Sequence, residues 1–227
     1  MIVVLILITA ICGYRLWVMS ERYIQEAWVK NSLAKYRPLD LAVFQNQFIT
    51  DLQEEVNSDI IGWIKIPNTK IDYPFVISNN NNHYLRRDLF GNYALAGSIF
   101  MDYRCQKDFS GFNTIIYGHN MKNDSMFGDL LLFYDEGFFD SARYGKLFLK
   151  DRTYTLEFFA YMVIGKNDEI IYNPYVASAE GDDFIEHVRG FARNYRELDT
   201  IERVVTLSTC SDDGSVRVVL LANIAEN

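Results

Sequence analysis

The side chains able to do chemistry are few in this chain of 227 residues: three cysteines and three histidines stand out. Metal binding needs ligands at short fixed spacings, and neither Cys-x-x-Cys nor His-x-x-x-His occurs, with His83, His119 and His187 scattered. Phosphate-cradling glycine loops and the Gly-x-Ser-x-Gly elbow of serine hydrolases are absent as well. Thiol chemistry remains, and it calls for no cofactor.

Cys210 ends a β-branched run, and Ser211-Asp212-Asp213-Gly214 separates it from a second apolar run starting near Val216. Asp-Gly is a strong two-residue hairpin signal. With Asp213-Gly214 as the turn, Ser211 faces Val216 and Cys210 faces Arg217. Opposed residues have Cβ atoms about 5 Å apart on one face, so a thiol and a guanidinium would share a site. A longer or bulged loop would shift that register. A buried structural cysteine and a solvated arginine are the plainer alternatives for each residue taken singly.

The run Thr114–Tyr117 leads through Gly118 to His119, which the pattern places at an exposed strand end, where catalytic groups concentrate. His83 sits in an asparagine-rich turn, and His187 lies beside an apolar helical stripe. Cys105, flanked by Arg104 and Lys107 in a polar loop, is the rival nucleophile but lacks a strand-end setting. Cys12 belongs to an apolar terminus.

Many short strands must position these groups. The segment from Asp59 is β-rich and broken at Pro67-Asn68 and Pro74. Further strands are expected at Gly97–Met101, Asn113–Tyr117, Lys146–Leu149, Thr153–Ile164, Arg203–Thr209 and Val216–Ile224. So many strands with few helices between them predict a mainly β fold, a closed or nearly closed barrel. One inserted helix is expected over Gly181–Tyr195, with Phe184, Val188, Phe191 and Tyr195 as its stripe and Asp183 and Glu186 as a capping-box-like start.

Ahead of the barrel, Glu21–Gln53 reads as helical, with Leu41, Phe44, Phe48 and Leu52 on one face and a break at Arg37-Pro38. Ile2–Met19 is apolar apart from Arg15 and just long enough to cross a bilayer. Trp17 stands at interface depth, and Arg15 can snorkel. The expected division is a transmembrane anchor over 1–20, a helical segment over 21–58 and a catalytic barrel over 59–227. Arg15, Arg22, Lys30 and Lys35 all follow the span, a bias that taken alone puts the C-terminal part inside the cell. The net charge of −8 argues against nucleic acid as a partner, because phosphate contacts need a basic face.

TLSTC at Thr206–Cys210, the downstream Arg217 and the upstream YGHNM together resemble the signature of sortases, the membrane-anchored cysteine transpeptidases of Gram-positive bacteria. IIGWIKIPNTKIDYPFVI, HYLRRDLFG, AGSIFMDYR and the late inserted helix resemble class B in particular, over roughly Asp59 to Ile224. The resemblance implies a sortase barrel held outside the cell by its anchor, against the charge bias. It implies Cys210 as nucleophile, His119 as acid and base, and Arg217 as the oxyanion donor. The substrate would be a sorting-signal peptide of a secreted surface protein, cleaved after Thr. An amine of peptidoglycan or of its lipid-linked precursor would resolve the acyl-thioester, linking the protein to the wall. Asn81 and Leu85 would line the peptide groove, Ser208 would bond the peptide backbone, and the loop Gly165–Ala179, with Ile170 and Tyr172, would form a wall.

At unperturbed pKa values about 3% of a cysteine is thiolate and about 24% of a histidine is imidazolium at pH 7, so both coexist in about 0.7% of molecules. Slow turnover is the expectation. A thiol protease or amidase using the same residues, and a non-catalytic tethered interaction domain, are the competing readings. The sorting motif itself is not written in the chain.

Overall fold

The computed structural model describes residues 2–38, 46–210 and 216–225. The chain opens with helix α1, Ile2–Ser32, which crosses position 20 without a break. No proline interrupts it, and the helix gives way to a short 3-10 turn, Ala34–Tyr36, just ahead of Pro38. Helix α2, Gln47–Glu55, buries Ile49 and Leu52 against Trp63 and Phe148. Each such aliphatic side chain contributes about 2 kcal/mol of burial. Phe48 packs partly buried beside them, whereas Leu41 and Phe44 lie outside the described residues.

The strands follow as β1 (Ile60–Lys65), β2 (Asp72–Val76), β3 (Ile99–Met101) and β4 (Asn113–His119). After β4 come a 3-10 segment over Gly128–Tyr134 and helix α3, Glu136–Ser141. The Asp135 carboxylate caps α3 by accepting the Phe138 N–H at 2.8 Å. Strands β5 (Tyr144–Leu149) and β6 (Thr153–Gly165) lead to helix α4 (Gly181–Phe191), and then to β7 (Asn194–Tyr195), β8 (Val204–Cys210) and β9 (Val216–Ala225). The sheet order is β5-β1-β2-β3-β4-β8-β9-β6-β7, and β5 also pairs with β6. That second pairing closes an eight-strand barrel, leaving the two-residue β7 on its edge. The pairs β2–β3 and β4–β8 are parallel.

Every expected strand forms. The turn at Pro67-Asn68 holds Asn68 at φ 61°, a left-handed conformation that asparagine tolerates. The inserted helix is shorter than its stripe suggested. It ends at Phe191, which is 65% exposed, and Tyr195 is on β7. Asp183 is in the first helical turn rather than at the cap, because the helix begins at Gly181.

Alternation along the strands sorts the core. Val205, Leu207, Leu220 and Phe75 fill the barrel with Phe127 and Phe158. Val204, Val219 and Leu221 face outward and are covered by Phe184 and Val188 of α4. On β8, therefore, Val204, Thr206 and Ser208 belong to the outer face.

Candidate active site

Strands β4 and β8 run parallel in unbroken register from Asn113↔Val204 to His119↔Cys210. Both strands end at these two residues, whose backbones are therefore neighbours across about 4.8 Å. The descending β9 pairs with β8 from Val204↔Asn223 to Ser208↔Val219. The observed ladder ends there; its register is in phase with the expected two-residue turn at Asp213-Gly214, and Cys210 would oppose Arg217 if it continued two steps further. The turn, 211–215, lies outside the described residues. The Thr209 hydroxyl accepts the Val218 N–H at 3.1 Å, which keeps the two strands together one step before Cys210. Arg217 is half-buried and is paired on its other side with Ile164 of β6.

His119 is buried rather than exposed, at 9%. Its Nε2 lies 2.9 Å from the Leu85 carbonyl oxygen. A carbonyl can only accept, so Nε2 carries a proton in this arrangement and Nδ1 is the nitrogen that gains or loses one. The strand can bring His119 in because Gly118 leaves room for Phe127: a Cβ at Gly118 would meet the Phe127 ring at 2.7 Å. The Phe127 N–H in turn donates to the His119 carbonyl at 2.9 Å. Leu85 is set from below by Gly97, whose φ is +58° and whose Cβ would lie 2.6 Å from the Leu85 carbonyl oxygen. Only glycine fits there at ordinary cost.

Two strand positions before the pair, Tyr117 and Ser208 are register partners on the same outer face. They open a buried network. Ser208, fully buried, shares a hydrogen bond of 2.9 Å with the Tyr172 hydroxyl, and the Tyr117 and Tyr172 rings stack at 6.2 Å. The Tyr117 hydroxyl donates to Asp102 Oδ2 at 3.1 Å, and Asn81 Nδ2 donates to the same oxygen at 2.9 Å. Arg104 grips both Asp102 oxygens, at 2.9 Å from Nε and 2.7 Å from Nη2, and also donates to the Tyr172 carbonyl at 3.1 Å. Burial alone would raise the Asp102 carboxyl, but the Arg104 and Asn81 hydrogen bonds outweigh it and hold the pKa below the ordinary range. Burial and the Asp102 charge push the Tyr117 phenol up, so it stays a donor.

Of the expected groove residues, then, Asn81 and Ser208 meet through this network, and Leu85 touches His119 through its backbone. Tyr172 joins them, whereas Ile170 is 43% exposed and takes no part in it. Asp102, Arg104 and Tyr117 lie within the stretches AGSIFMDYR and YGHNM, but the sequence reading gave them no role in the site. A further signal was a carboxylate directly following the apolar run Ile99–Met101.

The rivals are elsewhere. Cys105 is 8% exposed, its sulfur accepts the Ile115 N–H at 3.3 Å, and burial pushes its thiol up to about 12. It is protonated at neutral pH and a poor nucleophile. His83 is exposed and lies edge-on to Tyr84, and His187 on α4 pairs with Asp168 at 3.0 Å.

No family model matches the chain. Among characterised proteins, sortase B of Listeria monocytogenes is 34% identical over 168 residues, covering 73% of this chain and 68% of the relative. Sortase B from B. anthracis superimposes with a TM-score of 0.76 at 32% identity, over 88% of this chain and 94% of that structure. A Streptococcus pyogenes class B sortase, described as involved in pilus biogenesis, gives 0.70 at 32% identity over 78% of this chain and 97% of its own. With the closed barrel and the site on one strand pair, these likenesses lead to one conclusion: the chain belongs to the class B sortases and is a cysteine transpeptidase.

Proposed function

We propose that Cys210 is the nucleophile of this transpeptidase, attacking the carbonyl of a Thr in a C-terminal sorting signal to form an acyl-thioester. His119 protonates the departing amine and then takes a proton from the incoming one, with Nδ1 as the working nitrogen. Arg217 donates to the developing oxyanion. Asn81, Leu85 and Ser208 flank the peptide, and a peptidoglycan amine or its lipid-linked precursor resolves the thioester. Helix α1 anchors the chain in the membrane over residues 1–20, residues 21–58 connect it, and the barrel of 59–227 works outside the cell. The observation that carries this reading is the pairing of His119 with Cys210 at the matching ends of two parallel strands. The exposed apolar surface of α1 from Ile2 to Ile11 supports the anchor.

The test is a sorting-peptide assay with an added oligoglycine amine, read by mass spectrometry. Wild type should yield ligated product ahead of hydrolysed product. Cys210→Ala should lose cleavage altogether, and His119→Ala should lose about 10²–10⁴-fold. Undiminished cleavage by Cys210→Ala would end the proposal. Hydrolysis unaffected by the amine would instead make the chain a thiol protease.

A further inference from the structure

Helix α1 passes His119 on its way to the barrel wall. Tyr14, Arg15, Val18, Met19, Arg22 and Tyr23 of the helix face His119, Asn120, Met121 and Lys122 across a cleft of about 600 Å³. Three of these ten residues are basic and none is acidic, in a chain where acidic residues outnumber basic ones 30 to 22. Arg15 and Lys122 are both exposed, and the nearby Asp124 is bound by Lys70 at 3.2 Å. Tyr14, Val18 and Met19 give the helix wall an apolar character, and that wall continues into the exposed apolar surface of Ile2–Ile11.

We propose that this cleft seats the phosphate of an anionic membrane lipid, with its acyl chains lying along α1. The inference rests on the reading of α1 as a membrane anchor. Trp17 marks the interface on that helix and Arg15 can snorkel toward it, so the charged ends of Arg15 and Arg22 reach headgroup depth, where lipid phosphates are the anions at hand. A guanidinium and an ammonium on opposite walls suit a phosphate between them. The mouth of the candidate site is then fixed in the headgroup plane, with a lipid phosphate as one edge of the space around His119.

The full chain in nanodiscs of mixed phosphatidylglycerol and phosphatidylcholine supplies the test, with retained lipid read by native mass spectrometry after release. Wild type should retain phosphatidylglycerol and not phosphatidylcholine. Arg15→Gln with Lys122→Gln should lower that retention roughly thirtyfold, and Arg15→Lys should keep most of it. Inorganic phosphate should not displace the lipid, and Cys210→Ala should retain it while losing cleavage. Equal retention by the double variant, equal retention of both lipids, or displacement by phosphate would each overturn the proposal. Alkaline carbonate extraction tests the anchor separately: a chain washed from the membrane ends the anchor reading, whereas an inserted double variant with undiminished retention ends only the cleft.

Discussion

The Asp102 cluster precedes His119 along β4, through Tyr117, and the Tyr73 cluster follows it, through Met126. The first has a charge at its centre: one buried carboxylate takes donors from Asn81, Arg104 and Tyr117, all within the barrel unit. The second centres on a neutral hydroxyl shared between parts. Tyr73 donates to Glu26 of α1 at 2.9 Å and accepts from Lys30 at 3.1 Å and from the Met126 N–H at 3.2 Å. Met126 in turn bridges to Asn120, next to His119. The ionic centre makes a fixed part of the barrel, while the phenol couples the helix to the loop that leaves the candidate acid.

Substitutions can break this distinction. Asp102→Ala should cost the most, about 3 kcal/mol in denaturant unfolding, because it strands several buried donors. The Asp102 carboxyl has a depressed folded pKa, so its stabilisation is complete above the unfolded value of about 3.9 and is lost as pH falls through the lower folded one. The stability gap between wild type and Asp102→Asn should therefore hold steady above about pH 5 and shrink below about pH 4. A gap flat to pH 2 would show that the charge plays no part. Tyr73→Phe should cost less, about 1–2 kcal/mol, and should lower kcat more than it changes KM, because it frees the loop behind His119. A stability loss matching Asp102→Ala, with kcat untouched, would erase the contrast. Ser208→Ala should be mildest, about 1 kcal/mol, and a double-mutant cycle with Tyr172→Phe should show that the two losses are not additive.

What could be read from the sequence divides along the same line. Strand identity and the β8–β9 register follow from local signals, β-branched runs and the Asp-Gly pair, and neighbouring residues enforce them. The stretch Gly128–Ser141 gave no such signal: its apolar and aromatic residues serve a 3-10 turn and a short helix that only tertiary packing selects. The Asp102 cluster was invisible for another reason. Asn81, Asp102, Tyr117 and Tyr172 are far apart in the chain, and a lone Asp after a strand reads as an ordinary turn residue. His119 was placed at the right strand end but on the wrong side of burial, because its cover comes from Leu85, 34 residues earlier.

The unbroken run of α1 fixes more than an attachment. Gln25, Glu26 and Lys30 grip Tyr93, Tyr73 and Lys70 of the barrel from one face of the helix. Each residue inserted between Met19 and Gln25 would raise the barrel about 1.5 Å and turn that gripping face by about 100°. Additions of seven residues, about 10.5 Å, or eleven, about 16.5 Å, are the shortest that bring the face back to within about 20°. The standing height of the barrel is thus stepped rather than adjustable, and a single-residue insertion unlocks the grip instead of lengthening the stem.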